Sequence, residues 1–273
     1  MENRIHIMGI VNLTPDSFYA GSRAEGFAAL SRIDRLFSEG ADVVDLGACS
    51  TRPGSVQPSL EEEWARLEPV LNVLEGPVGQ GIRFSVDTYR SEVVRRAYGL
   101  IGPFLVNDIS AGQMDPRMLD TVGELGLPYV AMHMRGTPQT MQQFTGYPDV
   151  VEEVSGFFRA FEKKARAAGI RDWILDPGFG FSKTLAQNWE LLRRLREVTS
   201  AFDRPLLVGL SRKSMVYKAL GITPEEAMPA TEIVQFKALE GGARWLRVHD
   251  VEEAVRTVRL YSTMYTSSPG AAK

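Results

Sequence analysis

The chain has 273 residues, of which 44% are hydrophobic and 24% charged, and its formal net charge is −3 at pH 7. This is the composition of an ordinary globular protein, and a chain of this length buries a large core without disulfides or metals. The slightly acidic balance, with no dense basic run, argues against nucleic acid as a partner.

Three smaller features exclude further classes of protein. The single cysteine, Cys49, rules out an intramolecular disulfide framework and is typical of a reducing compartment. Residues 1–9 lack the long apolar core of a secretory signal or a membrane span, so we expect a cytoplasmic protein that contacts no membrane. The three histidines have no metal-binding spacing, which argues against a histidine-rich zinc site.

Eight short apolar runs predict eight β-strands, because buried parallel strands read as continuous apolar segments. In chain order they cover residues 5–11, 43–46, 82–86, 104–106, 129–132, 173–175, 206–208 and 245–248. Between them, apolar residues recur at helical spacing, notably over 60–74, 150–161 and 251–258. Pro69 predicts a kink or a break in the first of these helices.

Glycines and the last residues mark where regular structure ends. Gly40, Gly126 and Gly169 stand just before predicted strands, where a left-handed residue commonly closes a helix. The small, polar residues from 266 to 273 predict a disordered tail.

The alternation of strands and helices predicts an α/β fold, a single (β/α)8 TIM barrel comprising residues 1–273. In such a barrel the active site lies at the C-terminal ends of the strands. A doubly wound open sheet is the main alternative. The count of eight strands and the absence of an early Gly-x-Gly-x-x-Gly turn favour the barrel, and no linker or repeat indicates a second domain.

Polar residues follow the predicted strands, and in a barrel they converge on one rim. Asp87, Asn107, Asp176 and Lys213 would then be hydrogen-bonding groups at the mouth of the barrel. A carboxylate and an amide together suit a ligand with adjacent N–H donors, and an ammonium suits a carbonyl or a ring nitrogen.

A second group of strand-end residues combines positive charge with hydrogen-bond donors. Its members are Asn12, Arg52, Arg247 and His249. Arginine and histidine side chains suit an anion, and phosphate is the one that we expect here.

Each of these residues has a plainer interpretation when it is taken alone. Asp87 and Asp108 fit equally well as N-caps of the following helices. Asp45 fits a structural carboxylate, His133 a hydrogen-bonded core histidine, and Lys213 a surface lysine. Their joint placement at successive strand ends favours the functional interpretation.

Taken in order, the strand-end segments resemble dihydropteroate synthase, the folate-pathway enzyme that sulfonamides inhibit. The similar segments are residues 8–18, 45–54, 85–88, 107–109, 132–138, 176–181, 211–214 and 247–251. The similarity covers residues 5–260, and eight motifs in family order, each at its own strand end, are highly specific.

The resemblance implies a transferase that joins p-aminobenzoate to 6-hydroxymethyl-7,8-dihydropterin diphosphate. The products would be 7,8-dihydropteroate and pyrophosphate, with Mg²⁺ as the cofactor. Magnesium, arginine and histidine would neutralise the departing diphosphate, and the arylamine would attack the pterin cation left behind. Family members are usually dimers that pack late helices together, so the resemblance also implies a homodimer.

The resemblance further implies roles for individual residues. The pterin would be bound by Asp87, Asn107, Met132, Asp176, Phe181, Lys213 and Arg247. The diphosphate would be bound by Asn12, Arg52, Arg247 and His249, with Asn12 also on the metal ion. The p-aminobenzoate would lie among Phe18, Thr51, Pro53 and Ser214. The catalytic residues would be Asp87, Lys213, Arg247, His249 and Arg52.

The sequence departs from the family pattern in the first two strand-end loops. Residues 20–22 stand where the family usually has an aspartate, and Cys49 stands where it usually has a glutamate. Two alternatives therefore accompany the synthase, namely a pterin-binding paralogue without catalysis and a pterin-dependent methyltransferase domain. Methyltransferase domains lack residues 211–214 and 247–249 in this form and usually sit beside a corrinoid partner, which favours the synthase.

Overall fold

The structure, a computed structural model, describes residues 4–14, 23–50, 55–74 and 82–265, and the side chains of all of these except 23–27. The strands are β1 His6–Asn12, β2 Val43–Gly47, β3 Phe84–Asp87, β4 Leu105–Asp108, β5 Tyr129–Met132, β6 Trp173–Asp176, β7 Leu207–Val208 and β8 Trp245–Val248. The helices are α1 Arg23–Glu39, α2 Leu60–Leu71, α3 Ser91–Ile101, α4 Met118–Leu125, α5 Val150–Ala167, α6 Leu185–Arg193, α7 Leu195–Ala201, α8 Ser214–Leu220, α9 Met228–Glu240 and α10 Val251–Tyr265. A 3₁₀ turn, Met141–Gln143, lies between β5 and α5.

All strand pairs are parallel, and the sheet order is β6-β5-β4-β3-β2-β1-β8-β7. The two outer strands also meet, because Leu175 forms a parallel bridge with Leu206 and its amide donates to the carbonyl of Pro205 at 3.0 Å. The sheet is therefore a nearly closed barrel. The predicted (β/α)8 barrel is confirmed, and the open doubly wound sheet is wrong.

The amino-terminal half of the barrel interior is apolar. Its inward-facing side chains are Met8, Val43, Leu105, Val130, Ile174 and Leu207. At the strand starts, Trp245 packs against this cluster and its ring stacks on that of His6, with ring centroids 4.4 Å apart. This packed layer fills the lower barrel, so a ligand enters only from the opposite end.

The predicted helix over 60–74 ends earlier than its apolar spacing indicates. Helix α2 begins with a capping box, in which Ser59 Oγ accepts from the Glu62 amide and Glu62 accepts from the Ser59 amide. The helix continues through Pro69 and ends two residues later, so the proline lies in its last turn and does not break it. The expected left-handed glycines are confirmed at the three helix ends, with φ angles of 108°, 64° and 78° at Gly40, Gly126 and Gly169.

Several strands extend past their apolar runs. Strands β3, β4 and β6 include Asp87, Asn107 and Asp176, which the sequence placed just after the strands. The backbone ladder continues there because a polar side chain that points into the mouth of a barrel remains in contact with solvent or ligand. Within the described ranges, no helix has the length and apolar character needed to cross a membrane. The predicted tail over 266–273 lies outside the described residues.

Candidate active site

The carboxyl-terminal end of the barrel, called here the mouth, is lined by polar side chains. Their position follows from the two-residue period of the strands. Side chains two positions apart on a strand point to the same face, so the residue two places after each lower-layer residue also points inward. On β2, β4, β5 and β6 those positions hold Asp45, Asn107, Met132 and Asp176, and on β8 Arg247 stands two places after Trp245. Only β1 and β7 have Ile10 and Gly209 there. One step along the strands therefore changes an apolar interior into a polar one, at the carboxyl ends of the strands.

Arg247 connects three strands at this level. Its Nε donates to Asp45 Oδ2 at 2.7 Å, and its Nη2 donates to Asp87 Oδ2 at 2.7 Å. Asn107 Nδ2 also donates to Asp45 Oδ2, at 3.0 Å. The predicted pterin residues Asp87, Asn107 and Arg247 thus form one network, which Asp45 completes from within the barrel.

The environment of Asp87 disfavours its charge. Burial raises the pKa of this carboxyl to about 7, Arg247 opposes the rise, and the nearby carboxylates of Asp45, Glu63 and Asp108 add to it. Helix α3 begins at Ser91 without a side-chain cap, so Asp87 is not the N-cap of that helix. Its side chain is 13% exposed, which leaves it accessible to a ligand.

Asp108 differs from Asp87 because it is fully buried and organises its own loop. It accepts hydrogen bonds from the Ser110 and Gly112 amides at 2.7 and 2.8 Å, and from the Tyr129 hydroxyl at 2.5 Å. Helix α4 begins only at Met118, so Asp108 does not cap that helix either. Its role in the structure is to hold the turn after β4.

Asp176 and Lys213 lie on the other side of the mouth. Asp176 is buried and accepts from the Gly178 amide at 2.7 Å, and burial raises the pKa of its carboxyl. The Lys213 ammonium lies 4.6 Å from the centroid of the Phe181 ring. Burial lowers the pKa of Lys213 to about 8, against the attraction of Asp176. A donor and an acceptor thus stand near each other beside an aromatic face.

Met132 and Phe181 belong to an apolar cluster at the rim, separate from the barrel core. The other buried members are Tyr89, Ile109, Met134 and Met141. These side chains make one wall of the mouth hydrophobic, which suits the face of a flat ring.

The predicted anion residues are partly described. Asn12 is the last residue of β1 and its side chain is exposed. His249 follows β8, and its Nδ1 lies 3.0 Å from Ser211 Oγ. Burial, and then the charge of Arg247, lowers the pKa of His249 to about 4, so the ring is neutral at pH 7. Beside it, Arg212 forms two hydrogen bonds to Asp250, at 2.9 and 2.7 Å.

The p-aminobenzoate residues lie mainly outside the described part of the chain. Ser214 is the first residue of α8 and lies next to Lys213. Phe18, Thr51, Pro53 and the diphosphate residue Arg52 are not among the described residues, and neither are residues 20–22. Cys49 is described, and burial followed by the charge of Glu63 raises the pKa of its thiol.

The sequence interpretation missed the importance of one lysine. Lys183 is buried, and its Nζ lies 2.9 Å from His133 Nδ1 and donates to the carbonyls of Gly178 and Phe181 at 3.0 and 3.2 Å. Lys183 therefore supports the loop that carries Phe181. In the sequence, Lys183 stands three residues after Gly180 and lacks the flanking pattern of a P-loop, so no local signal indicates its role. His133 is a buried, hydrogen-bonded core histidine, as predicted.

Comparisons with known proteins agree with this geometry. Residues 8–249 match the family described as pterin binding enzyme. The dihydropteroate synthase of Escherichia coli strain K12 is 40% identical over 258 residues, which cover 93% of this chain and 90% of that protein. The Yersinia pestis dihydropteroate synthase, solved with a sulfonamide drug complex, superposes with a TM-score of 0.88 at 36% identity, covering 98% of this chain and 97% of that one.

A further solved structure is the Xanthomonas albilineans dihydropteroate synthase with 4-aminobenzoic acid. It superposes with a TM-score of 0.87 at 37% identity and covers 97% of this chain and 94% of that one. Similarity of this extent, over nearly the full length of both chains, includes every strand that lines the mouth. The chain therefore belongs to the dihydropteroate synthases, transferases of the pterin-binding enzyme family.

Proposed function

We propose that the polar mouth of the barrel binds 6-hydroxymethyl-7,8-dihydropterin diphosphate and that the residues predicted from the sequence act there in the roles given above. One observation carries this proposal. The seven predicted pterin residues, all of them described, come from the carboxyl ends of five strands and the two loops after β6 and β7. An edge of acceptors and donors beside an apolar wall is the arrangement that a flat heterocycle requires.

In this proposal the pterin ring lies with its edge toward Asp176 and Asn107 and its face toward Phe181. The buried carboxylate of Asp176 accepts from the N–H groups of the ring, and Lys213 donates to a ring oxygen or nitrogen. Arg247 lies over the opposite face and extends toward the diphosphate. A buried acceptor that is left without its donor loses free energy, so this edge would reject rings without matching N–H groups.

The chemical step breaks the bond between the methylene carbon and the diphosphate oxygen, and the electron pair leaves with the diphosphate. Arg247, His249 and Arg52 stabilise the charge that grows on the leaving group. Asp87 stabilises the delocalised pterin cation more than the neutral substrate. The amine of p-aminobenzoate then forms the new C–N bond and loses its surplus proton. The arylamine is already nucleophilic, so the step needs no serine or cysteine nucleophile.

The donor set fits a magnesium ion that is shared with the substrate. Among the described residues, no group of three or more His, Cys, Asp or Glu side chains is arranged to hold a metal ion. Mg²⁺ commonly keeps several waters and binds through one or two protein oxygens together with substrate phosphates. The exposed amide of Asn12 at the end of β1 would supply one such oxygen. When bound, the ion would neutralise diphosphate charge.

The acceptor subsite is proposed to lie between Ser214 and the loop residues Phe18, Thr51 and Pro53. The 4-aminobenzoic acid in the Xanthomonas albilineans enzyme supports this class of acceptor for the present chain. Cys49 lies two positions before Thr51. The replacement of the usual glutamate by the partly buried thiol of Cys49 therefore bears on the acceptor more than on the pterin.

The test measures pyrophosphate release from the pterin diphosphate with Mg²⁺, with and without p-aminobenzoate, while dihydropteroate is followed separately. We expect dihydropteroate only when all three are present. Asp176→Asn and Lys213→Ala should abolish pterin binding in a folded protein, whereas Lys218→Ala, at an exposed lysine of α8, should not. Unchanged pterin affinity in both site variants would overturn the assignment. Pterin binding without dihydropteroate would instead indicate a paralogue that does not catalyse the condensation.

Two variants separate the anion subsite from the pterin subsite. Arg52→Ala and Asn12→Ala should lower turnover while pterin without phosphate still binds. Asn12→Ala should also raise the magnesium concentration needed for half-maximal rate. Normal turnover and an unchanged magnesium requirement would count against these roles.

A homodimer is proposed through the outer faces of α9 and α10. Exposed apolar side chains gather there, including Ile233, Leu260 and Met264, which are 70%, 58% and 56% exposed. The rings of Phe236 and Tyr261 join the two helices, with centroids 5.7 Å apart. A contiguous apolar patch on two adjacent helices is typical of an interface between identical copies.

Sedimentation velocity tests the dimer directly. Leu260→Glu should shift the protein toward monomer, whereas Leu220→Glu, at an equally exposed leucine on α8, should not. A monomeric wild-type protein would overturn the proposal. A cytoplasmic location, predicted from the single cysteine and from the composition of residues 1–9, stays a prediction.

A further inference from the structure

We propose that Asp45, which no part of the site assignment includes, is a positioning residue of the reaction: it fixes Arg247 and Asn107 in the orientations in which they meet the pterin substrate. This inference rests on the pterin site proposed above. It concerns a side chain that lies beneath the ligand and acts through its neighbours.

Asp45 is fully buried, and a buried carboxylate persists only when its environment supplies compensating donors. Both of its hydrogen bonds go to the same oxygen, Oδ2, from Arg247 Nε at 2.7 Å and from Asn107 Nδ2 at 3.0 Å. The other oxygen, Oδ1, is buried without a partner among the described residues. All the donors of this carboxylate are therefore residues of the mouth.

The bond to Asn107 decides which end of its amide meets a ligand. Since Nδ2 donates to Asp45, the carbonyl oxygen of Asn107 is the end left for the substrate. Without the carboxylate the amide would be free to rotate and present either a donor or an acceptor. Asp45 thus makes Asn107 an acceptor, which selects a ring edge that carries N–H groups.

The bonds to Arg247 hold the plane of its guanidinium. Nε is bound to Asp45 and Nη2 to Asp87, so two anchors on different nitrogens prevent the group from rotating. The remaining N–H groups stay available for the ring face and the diphosphate. When the substrate binds, Asp87 is expected to contact it. The hydrogen bond to Asp45 then keeps Arg247 in place.

Asp45 also contributes to the charge balance at Asp87. The charged groups that act most strongly on Asp87 are Arg247 from β8, Asp45 from β2, Glu63 from α2 and Asp108 from β4, and Lys213 in the loop after β7 also interacts with it. The two cations lower the pKa of Asp87 and the three carboxylates raise it. Removal of the Asp45 charge would therefore lower the pKa of Asp87, since one opposing carboxylate is lost and Arg247 is less neutralised.

The test compares Asp45→Asn with Ser85→Ala. Asparagine keeps the size of the side chain but is neutral and has one oxygen and one NH₂ group, so it weakens the charge-assisted hydrogen bonds from Arg247 and Asn107 with little change of shape. Ser85 is the register partner of Asp45 on β3, it is buried, and its Oγ has no partner among the described residues, which makes it a matched neighbour outside the network. We measure KM for both substrates, kcat, and the pH dependence of kcat/KM.

We expect Asp45→Asn to lower kcat/KM for the pterin diphosphate about tenfold or more, with an unchanged KM for p-aminobenzoate. The acid limb of its pH profile should move to lower pH, which a purely structural effect would not produce. Ser85→Ala should match the wild type in each measurement. An unchanged kcat/KM and pH profile in Asp45→Asn, beside impaired Arg247→Lys and Asn107→Ala variants, would overturn the inference while the site assignment stands. If Arg247→Lys and Asn107→Ala are also unimpaired, the site assignment itself fails.

A measurement on the wild-type protein covers the case in which the Asp45 variant does not fold. The side-chain amide protons of Asn107, observed by NMR, should exchange slowly with solvent because one of them is bound to a buried carboxylate. Rapid exchange of both protons would overturn the proposed orientation.

Discussion

The amine nitrogen of Lys183 lies 2.9 Å from Nδ1 of His133, and both residues are buried. The same nitrogen donates to the carbonyl groups of Gly178 and Phe181. This pair and the two carbonyls account for three hydrogen bonds of the amine nitrogen. Lys183 thereby ties the loop after β6, which carries Phe181, to the end of β5.

Replacement of Lys183 by methionine should lower stability and weaken pterin binding. Methionine has a similar length but removes the hydrogen bonds to the Phe181 carbonyl and to His133 Nδ1, a loss of about 1–3 kcal/mol in the free energy of unfolding. Chemical denaturation and pterin titration measure the two effects. A variant as stable as the wild type, with the same pterin affinity, would show that the lysine has no supporting role.

The deficit of this variant should depend on pH in a defined direction. Burial lowers the pKa of Lys183 from 10.5 to about 7 in the folded protein. Between these values the unfolded chain binds the proton more tightly, so the wild type gains stability from this group as pH rises. The difference between wild type and Lys183→Met should therefore be larger at pH 9 than at pH 6.5.

Gly178→Ala should be far more destabilising than Gly126→Ala. Both glycines have a positive φ, 68° and 64°. A Cβ at Gly178 would lie 2.1 Å from the carbonyl oxygen of His133, whereas at Gly126 nothing lies within 4 Å. Both variants lose about 1 kcal/mol through backbone strain, and Gly178→Ala should lose about 2–4 kcal/mol more. Equal melting temperatures of the two variants would contradict this close approach of β5 and the β6 loop.

Asp87→Asn should raise thermal stability more at pH 8 than at pH 5. The pKa of Asp87 is about 7 in the folded protein and 3.8 in an open chain, so ionisation destabilises the fold as pH rises through this window. Asparagine removes that effect, and a gain of about 1 kcal/mol would raise Tm by about 2–4 °C. Asp172→Asn, at a carboxylate that is 75% exposed, serves as the control. An equal change in Tm at both pH values would argue against a buried, proton-binding Asp87.

Ser211→Ala should weaken binding of the diphosphate more than binding of the pterin ring. Ser211 Oγ contacts both the amide nitrogen and Nδ1 of His249, at 3.3 and 3.0 Å, and so holds the neutral ring in one orientation. Loss of this contact should reduce affinity for the pterin diphosphate about five- to tenfold. Calorimetric titration with the diphosphate and with the phosphate-free pterin separates the two effects. Ser155→Ala, at a buried serine of α5, should bind both as the wild type does, and equal losses for both ligands would contradict the role of Ser211.

Most of the fold was predictable because its signals are local. Eight apolar runs of strand length, six of them followed directly by a polar residue, predict the strands. Asp87, Asn107 and Asp176 are among these residues, so the sequence places them at strand ends. The two-residue period of a strand then determines which of these side chains point inward. The types of side chain at the mouth of the barrel can therefore be identified from short segments of the sequence, each taken separately.

Which carboxylates serve the ligand was decided only by tertiary structure. Asp87 and Asp108 both follow apolar runs. Asp108 accepts a hydrogen bond from the Ser110 amide in its own loop, whereas Asp87 accepts one from Arg247, 160 positions away in the chain. Asp45 and Lys183 gain their roles in the same way, through partners on other strands and loops. Local sequence patterns predict the strand end at which a residue lies and the face of the sheet to which its side chain points. Its burial, its charge state and its hydrogen-bond partners depend on distant segments that come together only when the barrel closes.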